Sequence, residues 1–79
     1  MSGLERYQQV FIDVFGVRAD ELDENFTFQA VEAWDSMTHL NLIAALEDAF
    51  GVMLDTEDIL RFGGYENGKA ILRACGAEI

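Results

Sequence analysis

Only one cysteine, Cys75, occurs in the chain. A lone thiol excludes an internal disulfide framework and any multi-cysteine metal site, and it suits a reducing compartment, with the cytoplasm as the expected location. Bases are also scarce: Arg6, Arg18, Arg61, Lys69 and Arg73 are the full set, and none falls between Ala19 and Leu60. No apolar run approaches the length that crosses a bilayer. The start Met1-Ser2-Gly3-Leu4-Glu5-Arg6 has no basic stretch leading into an apolar one, so no targeting or anchoring segment is expected. Repeats, low-complexity tracts and linker-like stretches are missing too, which leaves one domain over residues 1–79 as the expected organisation.

Acids, by contrast, are plentiful. Fifteen Asp and Glu against five bases give a net charge of −10. Asp20, Glu21, Asp23, Glu24, Glu32, Asp35, Glu47, Asp48, Asp55, Glu57 and Asp58 fill the stretch that lacks bases. Such a field repels nucleic acid and anionic membrane, so neither is an expected partner, and it steers basic protein surfaces toward the middle of the chain. Acids at the surface also keep a small protein soluble. Apolar residues make up 51% of the sequence, with six Phe, two Tyr and one Trp, which allows a core without crosslinks and argues against disorder. A chain this short buries little over half of its unfolded surface, so its stability is expected to be modest.

Ser2 and Glu5 have capping-box spacing, and Leu4, Tyr7, Phe11 and Val14, joined by Val10 and Phe15, repeat at three and four residues before Gly16. That pattern predicts a first helix ending at Gly16. From Val17 to Trp34 no helical period is sustained, but Leu22, Phe26, Phe28, Val31 and Trp34 can dock the segment as an ordered loop with room for a short helical turn. Asp35 opens a second helix over about Ser36–Phe50, with Leu42, Ile43, Leu46 and Phe50 facing inward, Leu40 beside them, and Gly51 as the stop. Asp55-Thr56-Glu57-Asp58 starts a short third helix through Ile59, Leu60 and Phe62 to the Gly63-Gly64 break. Tyr65 to Cys75 makes a fourth, with Ile71 and Leu72 apolar and Gly68 weakening it by about 1 kcal/mol relative to Ala. The expected core includes Phe11, Val14, Leu42, Leu46, Phe50, Ile59 and Ile71.

As bare residues, Asp35 and Ser36 are a capped helix start. An enzymatic reading would pair Ser36 with His39 as nucleophile and base, since the two are three apart on one helix. It lacks a residue to orient His39, an identifiable oxyanion hole and room for a substrate pocket, so an exposed or half-buried helix histidine accounts for His39 better. Asp55, Glu57 and Glu66 have separations like those of a calcium loop, but Leu60 stands where the sharp turn needs Gly, and Ile59 replaces an oxygen ligand.

Three segments go further together: Trp34-Asp35-Ser36-Met37, Leu46-Glu47-Asp48-Ala49-Phe50-Gly51-Val52 and Asp55-Thr56-Glu57-Asp58-Ile59. In an acidic chain with four predicted helices, they resemble the acyl carrier proteins, whose second helix opens on Asp-Ser-Leu or Asp-Ser-Met. In that family the helix continues through a Leu-rich face to an acidic end and a Phe-Gly-Ile/Val turn. The resemblance implies an all-α four-helix bundle with a long ordered loop between helices one and two and a short helix three. It implies a non-catalytic carrier, without catalytic residues or metal, that holds acyl, aminoacyl or aryl groups as thioesters on a 4'-phosphopantetheine arm joined covalently to Ser36. The implied partners are a phosphopantetheinyl transferase using coenzyme A, an acyl- or aminoacyl-loading enzyme, and a downstream transferase or synthase with basic docking surfaces. The matching contact positions are Asp35, Met37, Glu47 and Asp48, and the chain is expected to be a monomer.

Thr38, His39 and Asn41 stand where carriers of fatty-acid synthesis often place acids, and Val31-Glu32-Ala33-Trp34 replaces a Leu-Gly pair before Asp-Ser. The Gly-Gly-x-Ser start usual in peptidyl carriers is absent. These departures point the resemblance toward specialised biosynthesis, of polyketide, non-ribosomal peptide or related type. Fatty-acid synthesis and an unmodified acidic helical adaptor are the alternatives.

Overall fold

A computed structural model describes residues 2–79. Helix α1 spans Gly3–Phe15, α2 Ser36–Phe50, α3 Thr56–Arg61 and α4 Tyr65–Ala74, with one 3-10 turn at Ala19–Glu21 in the long loop. Among the described residues the only sheet-like pairing is a single antiparallel bridge between Thr27 and Gly64. The chain is thus an all-α bundle.

Each helix boundary has a local cause. Ser2 Oγ accepts from the Glu5 N–H at 3.1 Å while Glu5 Oε1 accepts from the Ser2 N–H at 3.3 Å, completing the capping box of α1. Asp35 and Asp55 cap α2 and α3 by accepting from the Thr38 and Asp58 N–H groups, each at 2.8 Å. Gly16 and Gly51 end α1 and α2 in the left-handed region, at φ of 67° and 65°, where a Cβ would be strained.

The core is aromatic. Tyr7, Phe11, Trp34, Phe62 and Tyr65 are buried together with Leu42, Leu46 and Leu72. Phe11 meets the rings of Tyr7, Phe15, Phe26, Trp34, Phe62 and Tyr65 at centroid distances of 5.0–6.4 Å. Leu22, Phe26 and Trp34 bury the long loop, which is further pinned where the Phe28 N–H donates to the Gly63 carbonyl and the Tyr65 N–H to the Phe26 carbonyl, both at 2.9 Å. Of the expected core, Phe11, Leu42, Leu46 and Ile71 are buried, whereas Val14, Phe50 and Ile59 lie half-buried at its rim. Leu40, beside the inward stripe of α2, is 61% exposed.

Gly68 also acquires a reason. A Cβ built there would collide with the Phe62 ring edge and the Tyr7 hydroxyl, which donates to the Tyr65 carbonyl at 2.6 Å. Burial pushes the Tyr7 phenol far above its ordinary value, so that donor stays protonated. Gly68→Ala is therefore expected to destabilise the bundle by about 1–3 kcal/mol through overpacking, despite the gain of about 1 kcal/mol in helix propensity. Thermal unfolding followed by circular dichroism measures the sign. A midpoint above wild type would show that α4 can retreat from Tyr7 and Phe62 at no cost.

Candidate functional site

Ser36 is the first residue of α2 and is exposed. The cap that starts the helix belongs to Asp35, so the Ser36 hydroxyl is not needed for folding. The Thr38 backbone N–H, with the Thr38 hydroxyl behind it, holds the Asp35 carboxyl below the usual range, leaving it an anion at neutral pH. The helix start offsets that charge. Its first N–H groups have no backbone acceptor, and the partial positive charge favours an anion there by about 0.3–1 kcal/mol at an exposed site. A phosphodiester on Ser36 would sit at this end of the helix.

Ser36 also borders an open, apolar groove of about 640 Å³, lined by Phe28, Leu40, Ile59, Leu60 and Phe62 with His39 among them. Its walls come from the long loop, α2 and α3. Met37 is 74% exposed beside Ser36, and Leu40 and Leu60, 61% and 80% exposed, form the lips of the groove. An exposed hydroxyl at a helix start, next to an apolar trough, fits a phosphate-linked arm that carries an apolar group.

His39 is the residue whose role the sequence concealed. Its Nδ1 accepts from the Trp34 Nε1–H at 3.0 Å, and its Nε2 lies 2.8 Å from the Ile59 carbonyl oxygen. Both bonds are satisfied by the neutral tautomer with the proton on Nε2, which donates to Ile59. The Ile59 carbonyl needs such a donor, because the Gly63 N–H that would follow the helical pattern goes instead to Asn67 Oδ1 at 2.9 Å. His39 thus ties the residue before Asp35 to the last turn of α3, and leaving any of these buried groups unpaired would cost about 1–3 kcal/mol. With both ring nitrogens engaged, His39 has no lone pair to offer Ser36 as a base. The signal for this role was Trp34 itself, a buried indole that requires an acceptor.

The expected contact residues fall on different surroundings. Asp35, Met37 and Asp48 are exposed, whereas Glu47 is half-buried and its Oε2 accepts from the Leu54 N–H at 2.9 Å, which holds the turn after α2. Asp48 is therefore the freer of the two acids at that end. Asp55 is spent on its cap and Asp58 on Arg61 at 2.7 Å. Among the described residues no three side chains of ligating type gather to hold a metal ion. Cys75 is half-buried, its thiol donating to Asp58 Oδ2 at 3.6 Å. Burial, with the Asp58 carboxylate adding to it, pushes that thiol up, which makes it a poor nucleophile for acyl groups. Among the described residues no helix is long and apolar enough to cross a membrane.

Comparison with known proteins agrees with this geometry. Residues 6–67 match the family model described as a phosphopantetheine attachment site. An acyl carrier protein of Streptococcus pyogenes serotype M3 is 30% identical over 64 residues, which cover 81% of this chain and 85% of that protein. One from Nitratidesulfovibrio vulgaris strain DP4 is 34% identical over 58 residues, covering 73% and 76%. No solved structure gives a significant match. The chain belongs to the acyl carrier protein family. As a member it is a non-catalytic carrier whose phosphopantetheine is bound covalently to a serine, and it works with a phosphopantetheinyl transferase and with acyl-handling enzymes.

Proposed function

We propose that Ser36 is the attachment serine and that residues 1–79 act as one monomeric, cytoplasmic carrier domain in specialised biosynthesis. The observation that carries this reading is the exposed Ser36 at the head of α2 and at the edge of the apolar groove. His39, which lines the groove, and Trp34, bonded behind it, are among the departures that set the chain apart from the pattern of fatty-acid carriers. Identities of 30% and 34% to proteins named simply acyl carrier protein favour fatty-acid synthesis as the second reading. Incubation with coenzyme A and a broad-specificity transferase should add one phosphopantetheine unit to the mass of the protein. A chain that keeps its bare mass would exclude the reading.

Partners are expected to approach the open face of α2, where Met37 offers an adaptable apolar contact and Asp35 and Asp48 offer charge. Removing charge without removing the acceptor at Glu47 is feasible, since a Gln carbonyl still takes the Leu54 N–H. The variant Glu47→Gln with Asp48→Asn should be modified by the transferase several-fold more slowly at low salt, since each exposed pair is worth about 1 kcal/mol or less. The difference should vanish near 1 M salt, where the Debye length is about 3 Å. Equal rates at low salt would show that apolar contacts alone bring the transferase to α2.

A further inference from the structure

The groove next to Ser36 has an inner wall that a carried group would meet first. His39 sits there with its ring 5.9 Å from Phe28 at 88° and 6.1 Å from Phe62 at 69°, and it stacks on Trp34 at 6.1 Å and 27°. Immediately behind are Trp34, Phe62 and Phe11, which are 2%, 1% and 0% exposed and in contact ring against ring. A chain passing inward between α2 and α3 would have to displace the imidazole, stranding the Trp34 N–H and the Ile59 carbonyl at once. A hydrocarbon offers no donor or acceptor to replace it, and the interior it would reach is already filled by rings. The outer trough asks for no such exchange: Phe28, Leu40 and Leu60 are 40%, 61% and 80% exposed and present apolar surface without unsatisfied polar groups.

We propose that His39 closes the seam between α2 and α3 to the carried group, so that this carrier holds a short or planar apolar acyl group in the outer groove, on Phe28, Leu40 and Leu60, and does not take a long alkyl chain into the bundle. This deepens the Ser36 reading and rests on it. The occupant is set by the tether: Ser36 itself lines the groove, so a group on its arm is held beside that apolar surface at high local concentration. Flat rings suit the trough because its exposed floor is aromatic at Phe28. His39 acts here as a positioning residue, through its bonds to Trp34 and Ile59, and takes part in no chemical step.

The test loads the full chain from acetyl-, benzoyl-, octanoyl- and dodecanoyl-coenzyme A with a broad-specificity transferase, and mass confirms each product. In the wild type the unfolding midpoint should stay flat within about 2 °C across the alkyl series. Benzoyl loading should shift the methyl resonances of Leu40 and Leu60 and leave those of Leu46 and Leu72 in place. In His39→Ala a midpoint that rises with alkyl length should appear, together with shifts at Leu46 and Leu72. His39→Asn, which also removes the bridge to Ile59, serves if the Ala variant does not fold. A wild-type midpoint that climbs with chain length, with shifts at Leu46 and Leu72, would overturn the inference while leaving Ser36 as the attachment site. Variants that respond to chain length as wild type does would overturn the role of His39. A wild type that gains no mass would overturn the Ser36 reading and this inference together.

Discussion

Ser36→Ala is expected to abolish attachment of the arm completely while leaving the bundle folded. The loss should be absolute because the ester needs a hydroxyl oxygen, and the neighbouring hydroxyls are committed. The Thr38 hydroxyl helps to hold the Asp35 carboxyl below its usual range, and Ser2 Oγ caps α1. Stability should move by no more than about 0.5 kcal/mol, since Ser36 is exposed, Asp35 and not Ser36 supplies the cap, and Ala is a good helix former. The measurement is intact mass after incubation with coenzyme A and transferase, beside a thermal melt of the same sample. An alanine variant that gains the arm as readily as wild type would move the attachment site elsewhere. A variant that gains none but melts far lower would show that the serine side chain supports the fold after all.

Phe11→Ala is the largest stability change expected. The side chain is fully buried, and its ring is the hub on which α1, the long loop, the segment after α3 and the start of α4 converge. Truncating a buried Phe typically costs about 3–5 kcal/mol, part transfer and part cavity. A domain of 79 residues has a total stability of about 4–12 kcal/mol, so the variant should lose a large fraction of it. Urea titration gives the value. A loss of less than about 1 kcal/mol would mean that the surrounding rings collapse into the gap, and that the aromatic cluster is held by shape less tightly than its centroid distances imply.

Local signals made much of the bundle legible in the sequence. The Ser2/Glu5 box, Asp35, Asp55, Gly16 and Gly51 are cap chemistry, which acts within a few residues, and α2 runs from Ser36 to Phe50 as its pattern predicts. Cap chemistry alone leaves Ser36 as the first residue of a helix, and it was the resemblance to the acyl carrier proteins that singled it out. What was hidden depends on distant partners. His39 reads as an ordinary helix histidine until Ile59, 20 residues on, is seen to lack its helical donor. Gly68 reads as a weak point in α4 until Tyr7 and Phe62 are brought against its α-carbon. Glu47 reads as a free acid until the turn after α2 delivers the Leu54 N–H to it. Leu40 reads only as a neighbour of the inward stripe until the groove that it borders is seen.

The bond between Trp34 and His39 has a spectroscopic consequence. Trp34 is the only indole in the chain, and it lies two positions before Ser36 with its N–H held by His39. Emission excited at the red edge, where the two tyrosines do not absorb, therefore comes from one site just behind His39 in the groove. The hydrogen bond and ring contact to His39 set the surroundings of that indole, so its emission changes whenever α2 and α3 part. The protein carries its own optical gauge of the seam, readable without a label on the arm or on its partners.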